Sequence, residues 1–233
     1  MDASRIIDAL AAAGEPGPPR LELLAPAAGR GGPVGIVPGS FDPITRAHVA
    51  LAEALRRRGA DPALFVYSAR TLAKEGPPAP PPLLPPERRL AAVTAVCEGG
   101  TGLGLAVCSH GLVADQAEAA AASFPGARPL VALGSDKLRQ LFDPRWYDDR
   151  DAALERLFAA ADVAFAVRAG DEPVVGAVLS ANPRWAGSVE RIDLPPTVAG
   201  ISSSAVRQRL RRGQDVSDLV PPEAAPFVGE GLG

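Results

Sequence analysis

Two short clusters of side chains, far apart in the chain, have the types and spacing that phosphate chemistry needs. The first is Gly39, Ser40, Phe41, Thr45 and His48. The Gly39-Ser40 pair lets the backbone turn sharply and come close to a ligand, because glycine has no Cβ to clash. Thr45 and His48 stand three positions apart where a helical pattern begins, so a hydroxyl and an imidazole lean over one spot. The second cluster is Ile201, Ser202, Ser203, Ser204 and Arg207. Hydroxyls and free N–H groups at a helix N-terminus, with a guanidinium one turn on, can grip a chain of phosphates. Transfer of a phosphorus-centred group asks the protein for in-line positioning and for donors where negative charge builds up. It needs no nucleophile triad, and the chain shows none.

The elements that must position these residues follow from the pattern around them. Val34 to Val37 is an apolar run too short for a helix and bounded by Gly and Pro, which predicts a buried strand. Asp42-Pro43 adds a bend, and from Thr45 the apolar positions Val49, Ala52 and Leu55 recur at helical spacing. A strand, a glycine turn and a helix N-terminus together hold anions, through free N–H groups and the helix dipole. Further strands are predicted at 63–67, 103–108, 129–134, 162–167 and 189–194, with helices at 86–98, 112–123 and 202–212. The last is punctuated by Ser202 at its start and Gly213 after its end. Strands alternating with helices predict a doubly wound, mostly parallel α/β sheet in a single domain. Residues 1–33 read as an N-terminal extension and linker, with a short helix over 2–13 and an edge strand at 21–24, and residues 34–233 as the domain itself. The Pro-rich stretch from Ser68 to Pro86 reads as an exposed functional loop carrying Lys74.

Composition narrows the function classes. A net charge of −3 over 233 residues gives no basic surface for nucleic acid. The two cysteines form no disulfide framework, and with His48 and His110 they show no metal-ligand spacing, so no protein-built metal site is expected. Neither a signal peptide nor a membrane span is visible, which makes the cytoplasm the expected compartment. The turn lacks the Gly-x-Gly-x-x-Gly pattern of dinucleotide-binding folds.

The stretch GSFDPITRAH resembles the signature turn of the nucleotidylyltransferase superfamily, His (or Thr)-x-Gly-His, and GISSSAVR resembles that superfamily's C-terminal phosphate-binding motif, in the same order. The resemblance implies a Rossmann-like fold, ATP as the nucleotide, and Mg2+ brought with ATP. It assigns His48 and Thr45 to catalysis, and Gly39, Ser40, Phe41 and Ile201 to Ser204 with Arg207 to the nucleotide. Leu133 to Leu138, then Trp146, then Val163 to Arg168, together with the tail from Ile201 to Val228, are similar to the nicotinate mononucleotide adenylyltransferase branch. There a Gly-x-Asp turn, a downstream Trp and an Arg after the next strand meet the acceptor, which points to Asp136, Trp146 and Arg168, with Lys74 reaching a phosphate from its loop. Each has a plainer role open: Asp136 as a helix cap, Trp146 as core, Lys74 as a solvated lysine, Thr45 as a cap.

Three positions depart from those patterns. Ala47 stands where the superfamily has Gly and Thr45 where the branch has His, and Gly111 to Asp115 carries no Tyr-Thr pair. The function implied is transfer of AMP from ATP to a phosphate monoester, nicotinate or nicotinamide mononucleotide first. Phosphopantetheine as acceptor, CTP as donor, or a nucleotide-binding regulator with a decayed acceptor site are the alternatives. The partners expected are ATP and a small phosphorylated acceptor, with no nucleic acid and no membrane; self-association into a homo-oligomer is left open.

Overall fold

The computed structural model describes residues 7–8, 17–27, 31–70, 82–126 and 128–229. Its strands are β1 (Leu21–Ala25), β2 (Gly35–Gly39), β3 (Ala63–Ser68), β4 (Gly104–Cys108), β5 (Leu130–Gly134), β6 (Asp162–Ala166) and β7 (Val189–Arg191). Its helices are α1 (Arg46–Arg57), α2 (Pro86–Val96), α3 (Val113–Ser123), α4 (Ser135–Phe142), α5 (Arg150–Ala160), α6 (Glu172–Ala181), α7 (Pro183–Ala186), α8 (Pro196–Ala199), α9 (Ser203–Arg211) and α10 (Ala225–Gly229). The expected helix over 2–13 falls mostly outside the described residues, and Lys74 lies outside them altogether. Among the described residues no helix is long and apolar enough to cross a membrane.

The strands form one sheet in the order β1-β4-β3-β2-β5-β6-β7. Neighbours pair in parallel except β1 and β4, which run antiparallel. The expected edge strand therefore exists, and it extends the sheet by pairing Leu21 with Cys108 and Glu22 with Val107. A parallel sheet with helices on both faces must bury both sides of its strands, which is why they read as continuous apolar runs. Alternate residues divide accordingly. Val37, Phe65 and Tyr67 join one core with Leu51, Leu55, Leu90 and Val93, while Ile36, Leu64 and Val66 join the other with Ala117, Leu138, Leu154 and Leu157.

The chain leaves β2 toward β3 and β4, then returns to β5 on the other side, so the strand order reverses between β2 and β5. In such sheets the crevice at the carboxyl ends of those two strands is where ligands bind. Here the crevice is wide. Pairing of β2 with β5 stops at Ile36–Val131, whereas pairing with β3 continues to Gly39–Tyr67. Pro38 has no N–H and cannot extend the ladder toward β5. A third, smaller apolar cluster of Leu84, Ile201, Val206, Val216, Leu219, Val220 and Val228 fastens α9 and the C-terminal segment beside this opening. Arg46 secures the same segment, donating its N–H to Leu219 and its guanidinium to Ser217 and Val220 carbonyls.

Candidate active site

The turn after β2 is built by packing and by one buried carboxylate. Phe41 adopts φ +46°, a left-handed conformation costly for a bulky residue. Its ring is 1% exposed and lies edge-on to His48 and Phe65, at centroid distances of 5.3 and 5.6 Å. A Cβ on Gly39 would stand 2.6 Å from that ring, so the glycine is what lets Phe41 fold back. The Phe41 side chain thus lies beneath the cleft, filling the core and supporting His48.

Asp42 is buried and accepts the N–H groups of Leu83 and Leu84 at 3.0 and 2.8 Å. It faces Arg89 Nε at 3.6 Å and Arg207 Nη1 at 3.7 Å. Arg207 also donates to the Asp42 carbonyl at 2.7 Å and to Ser204 Oγ at 3.0 Å, and Ser203 Oγ donates to the Pro43 carbonyl at 2.9 Å. Ser202 caps α9 by accepting the Ala205 N–H at 3.1 Å. The three serines therefore do three different things, the sequence having marked out only Ser202 as the cap, and the two motifs are bonded to one another.

Thr45 is the N-cap of α1, and its N–H donates to His48 Nδ1 at 3.0 Å. Thr45 Oγ1 lies 2.9 Å from the same nitrogen. A backbone N–H can only donate, so Nδ1 is an acceptor and the neutral ring carries its proton on Nε2. Burial, reinforced by the positive charge of Arg168, pulls the imidazole down to about 4. At neutral pH His48 is thus an uncharged Nε2–H donor of fixed tautomer.

These residues share one cleft of about 270 Å³. Its wall includes Gly39, Ser40, Thr45, Ala47 and His48 from the first motif and Ile201 to Ser204 with Arg207 from the second. Asp136 and Arg168 line it too, joined by an ion pair of 2.7 Å, and the Arg168 N–H donates to Ser135 Oγ at 2.8 Å. Both residues were expected at the acceptor; the structure sets them on the same cleft as the two motifs, just past the ends of the neighbouring strands β5 and β6. Asp136 does not cap α4, whose N-cap is Gly134.

Trp146 lies elsewhere. It is half-buried, in a short turn at Pro144–Trp146, and lines a second cleft of about 210 Å³ with Tyr67, Ser68, Arg70, Arg89, Gly111, Gln116 and Gln140. Gly39, Ser40 and Lys137 belong to both cleft walls. Sequence reasoning missed Asp42, Arg89 and Lys137. Arg89 carried no local signal; Lys137 did, as one of the chain's two lysines and directly beside Asp136. Among the described residues no group of three or more His, Cys, Asp or Glu side chains could hold a metal ion. Both thiols are buried, which pushes Cys97 up to about 12 and Cys108 to about 11, far from nucleophilic use.

Comparison with known proteins decides the family, since residues 36–209 match the family described as cytidylyltransferase-like. The chain belongs to the cytidylyltransferase-like family. It is 30% identical over 200 residues to a probable nicotinate-nucleotide adenylyltransferase of Bordetella avium (strain 197N), covering 84% of this chain and 95% of that one. A protein of the same description from Bordetella pertussis (strain Tohama I) is 28% identical, covering 84% and 94%. One from Anaeromyxobacter dehalogenans (strain 2CP-1) is 32% identical over 121 residues, covering 52% and 51%. The chain stands with these relatives in the nicotinate-nucleotide adenylyltransferase branch of the family. Its fold is similar to that of Plasmodium falciparum nicotinic acid mononucleotide adenylyltransferase solved in complex with NaAD. The TM-score is 0.56 at 19% identity, covering 85% of this chain and 95% of that one.

Proposed function

We propose that this cytidylyltransferase-like protein moves AMP from ATP to nicotinate mononucleotide. An oxygen of the acceptor's phosphate attacks the α-phosphorus of ATP. The new P–O bond forms as the bond to the β-phosphate oxygen breaks, and pyrophosphate leaves with that electron pair. The observation that carries the reading is the convergence of both phosphate-binding motifs on one cleft that adjoins a second, Trp-lined cleft through a shared wall. His48 presents a neutral Nε2–H where charge grows during the transfer, and Arg207 with the N-terminus of α9 meets the triphosphate. Trp146 offers an aromatic face to the electron-poor pyridine ring.

The first cleft holds a single carboxylate among its described lining residues, Asp136, already paired with Arg168. That lining suits a magnesium ion carried mainly on the nucleotide's own phosphate oxygens, where it would neutralise charge. We place this ATP-consuming step in the cytoplasm.

One observation favours keeping the amide acceptor in view. Gln116 lines the second cleft, and its Oε1 is buried without a hydrogen-bond partner among the described residues. A carboxamide N–H could satisfy it, whereas a carboxylate could not. The test is pyrophosphate release and dinucleotide formation from ATP with nicotinate mononucleotide, nicotinamide mononucleotide and phosphopantetheine in turn, and with CTP replacing ATP. The expected result is a dinucleotide with a pyridine acceptor and ATP. Steady conversion of ATP to ADP with no adenylylated product would sink the reading. His48→Ala should lower kcat by about a hundredfold or more while ATP affinity changes little, as for loss of one donor aimed at the transition state.

A further inference from the structure

We infer that Lys137 is a catalytic residue whose ammonium bridges the acceptor's phosphate and the α-phosphate of ATP at the wall shared by the two clefts. The role rests on the adenylyl-transfer reading, in which the two substrates must meet. The attacking oxygen has to come within about 3–3.5 Å of the α-phosphorus in line with the bond that breaks. If one cleft holds the triphosphate and the other the pyridine nucleotide, that approach takes place where the clefts touch. Among the described residues only Gly39, Ser40 and Lys137 line both. Two of these supply backbone at a turn, and the third supplies a cation.

The surrounding charges single out Lys137 further. Arg168 is paired with Asp136, and Arg89 and Arg207 both face Asp42. Each of these guanidiniums already faces a carboxylate before any substrate arrives, Asp42 being shared by two of them. Lys137 Nζ instead donates to the neutral amide oxygen of Gln140 at 3.0 Å, and Gln140 is itself part of the second cleft. An ammonium carries three donors, so two remain for anionic oxygens. Burial of its stem lowers the lysine below its ordinary range, the signature of a cation whose lost hydration has not been replaced by a counter-charge. Two phosphate groups brought together repel each other, and a desolvated ammonium between them offsets the repulsion as the new P–O bond forms. Lys137 keeps its proton throughout.

The test compares wild type with Lys137→Met, which keeps the stem and removes the charge, and Lys137→Arg, which keeps a charge. Dinucleotide formation is followed across pH, and each variant is melted in parallel. Lys137→Met should lose about a hundredfold or more in kcat, as for one charge-assisted donor, with both KM values moving less than about tenfold. Its melting temperature should not fall, because a desolvated ammonium held only by a neutral amide oxygen has been removed. Lys137→Arg should recover part of the turnover.

In the wild type, kcat should also decline on the basic side as Lys137 loses its proton below the ordinary lysine range, and Lys137→Arg should shift that limb to higher pH. Wild-type turnover combined with Lys137→Met activity within about threefold of it would overturn the Lys137 role alone. Equal losses in both variants with the basic limb unmoved would also overturn it, marking Lys137 as packing. A wild type that makes no dinucleotide with any acceptor would overturn the functional reading and this role together.

Discussion

The buried carboxylate of Asp42 is the joint on which the site turns, and Asp42→Asn tests that directly. The substitution preserves size and removes one charge. In the wild type each carboxylate oxygen accepts a backbone N–H, from Leu83 at 3.0 Å and Leu84 at 2.8 Å. An asparagine can accept only one of them and points an NH₂ at the other, leaving a buried donor unsatisfied at about 1–3 kcal/mol. Arg89 fares worse. Its side chain is 8% exposed, its Nε sits 3.6 Å from the carboxylate, and the same Nε donates to the Leu84 carbonyl at 2.7 Å. Removing one partner of a buried ion pair costs about 3–5 kcal/mol, because the other charge is left uncompensated. The two costs overlap in the same few atoms, so we expect a total of about 3–5 kcal/mol. For a domain of this size each kcal/mol lowers the melting temperature by about 2–4 °C, which gives a drop of roughly 6–20 °C by circular dichroism.

ATP affinity, measured by calorimetry below the transition, should fall as well, since Arg207 loses its counter-charge across 3.7 Å and its hold on α9 loosens. Asp42→Asn combined with Arg89→Met removes the stranded cation and should regain a substantial part of the lost stability. A single variant that melts within about 2 °C of wild type, or a double variant no better than the single, would refute the reasoning.

Three other outcomes are expected. The ring resonances of His48 should titrate with a midpoint near 4 in the free protein and move upward when ATP binds; a free-state midpoint above 6 would contradict the buried, neutral ring. Because that value lies below the ordinary 6.5, the unfolded chain takes up the proton first, so the neutral ring's contribution to stability is complete above pH 6.5 and drains away toward pH 4. Arg207→Ala should mainly weaken ATP binding, with Arg207→Lys restoring only part because lysine lacks the planar fork; unchanged affinity in Arg207→Ala would detach α9 from the nucleotide. Trp146→Ala should raise the acceptor's KM about 3- to 30-fold, as for loss of one aromatic stack, and leave the KM for ATP nearly alone. An early melt with both substrates equally affected would mark the indole as packing only.

What the chain announces in advance is what it does locally. The runs at Ala63–Ser68, Gly104–Cys108 and Leu130–Gly134 are legible because each is buried on both faces and bounded by turn residues. The start of α9 is legible because Ser202 caps it through its own side chain. What depends on distant partners stayed hidden. The pairing of Asp136 with Arg168 exists only because β5 and β6 lie side by side. Helix α6 escaped for the opposite reason: Glu172–Ala181 is largely apolar, yet Val175 is its buried residue and Val174 is 42% exposed, so no periodic stripe marks it.

The signature turn reads differently once its contacts are known. A motif that names a nucleotide-binding family invites the view that each of its residues touches the nucleotide. Here Gly39, Ser40, Thr45, Ala47 and His48 reach the cleft, and the residues between them hold the turn in place. Phe41 supports the His48 ring from below, and Ile44 is wholly buried in the core. Asp42 gathers Leu83, Leu84, Arg89 and Arg207 onto one carboxylate, and the Pro43 carbonyl takes the Ser203 hydroxyl. Thr45 both caps α1 and fixes the tautomer of His48. The spacing of the motif is thus set as much by the need to bind the far C-terminal helix as by the ligand. That is why two motifs so distant in sequence arrive on one cleft already bonded to each other: the groups that line it are preorganised by the same contacts that close the fold.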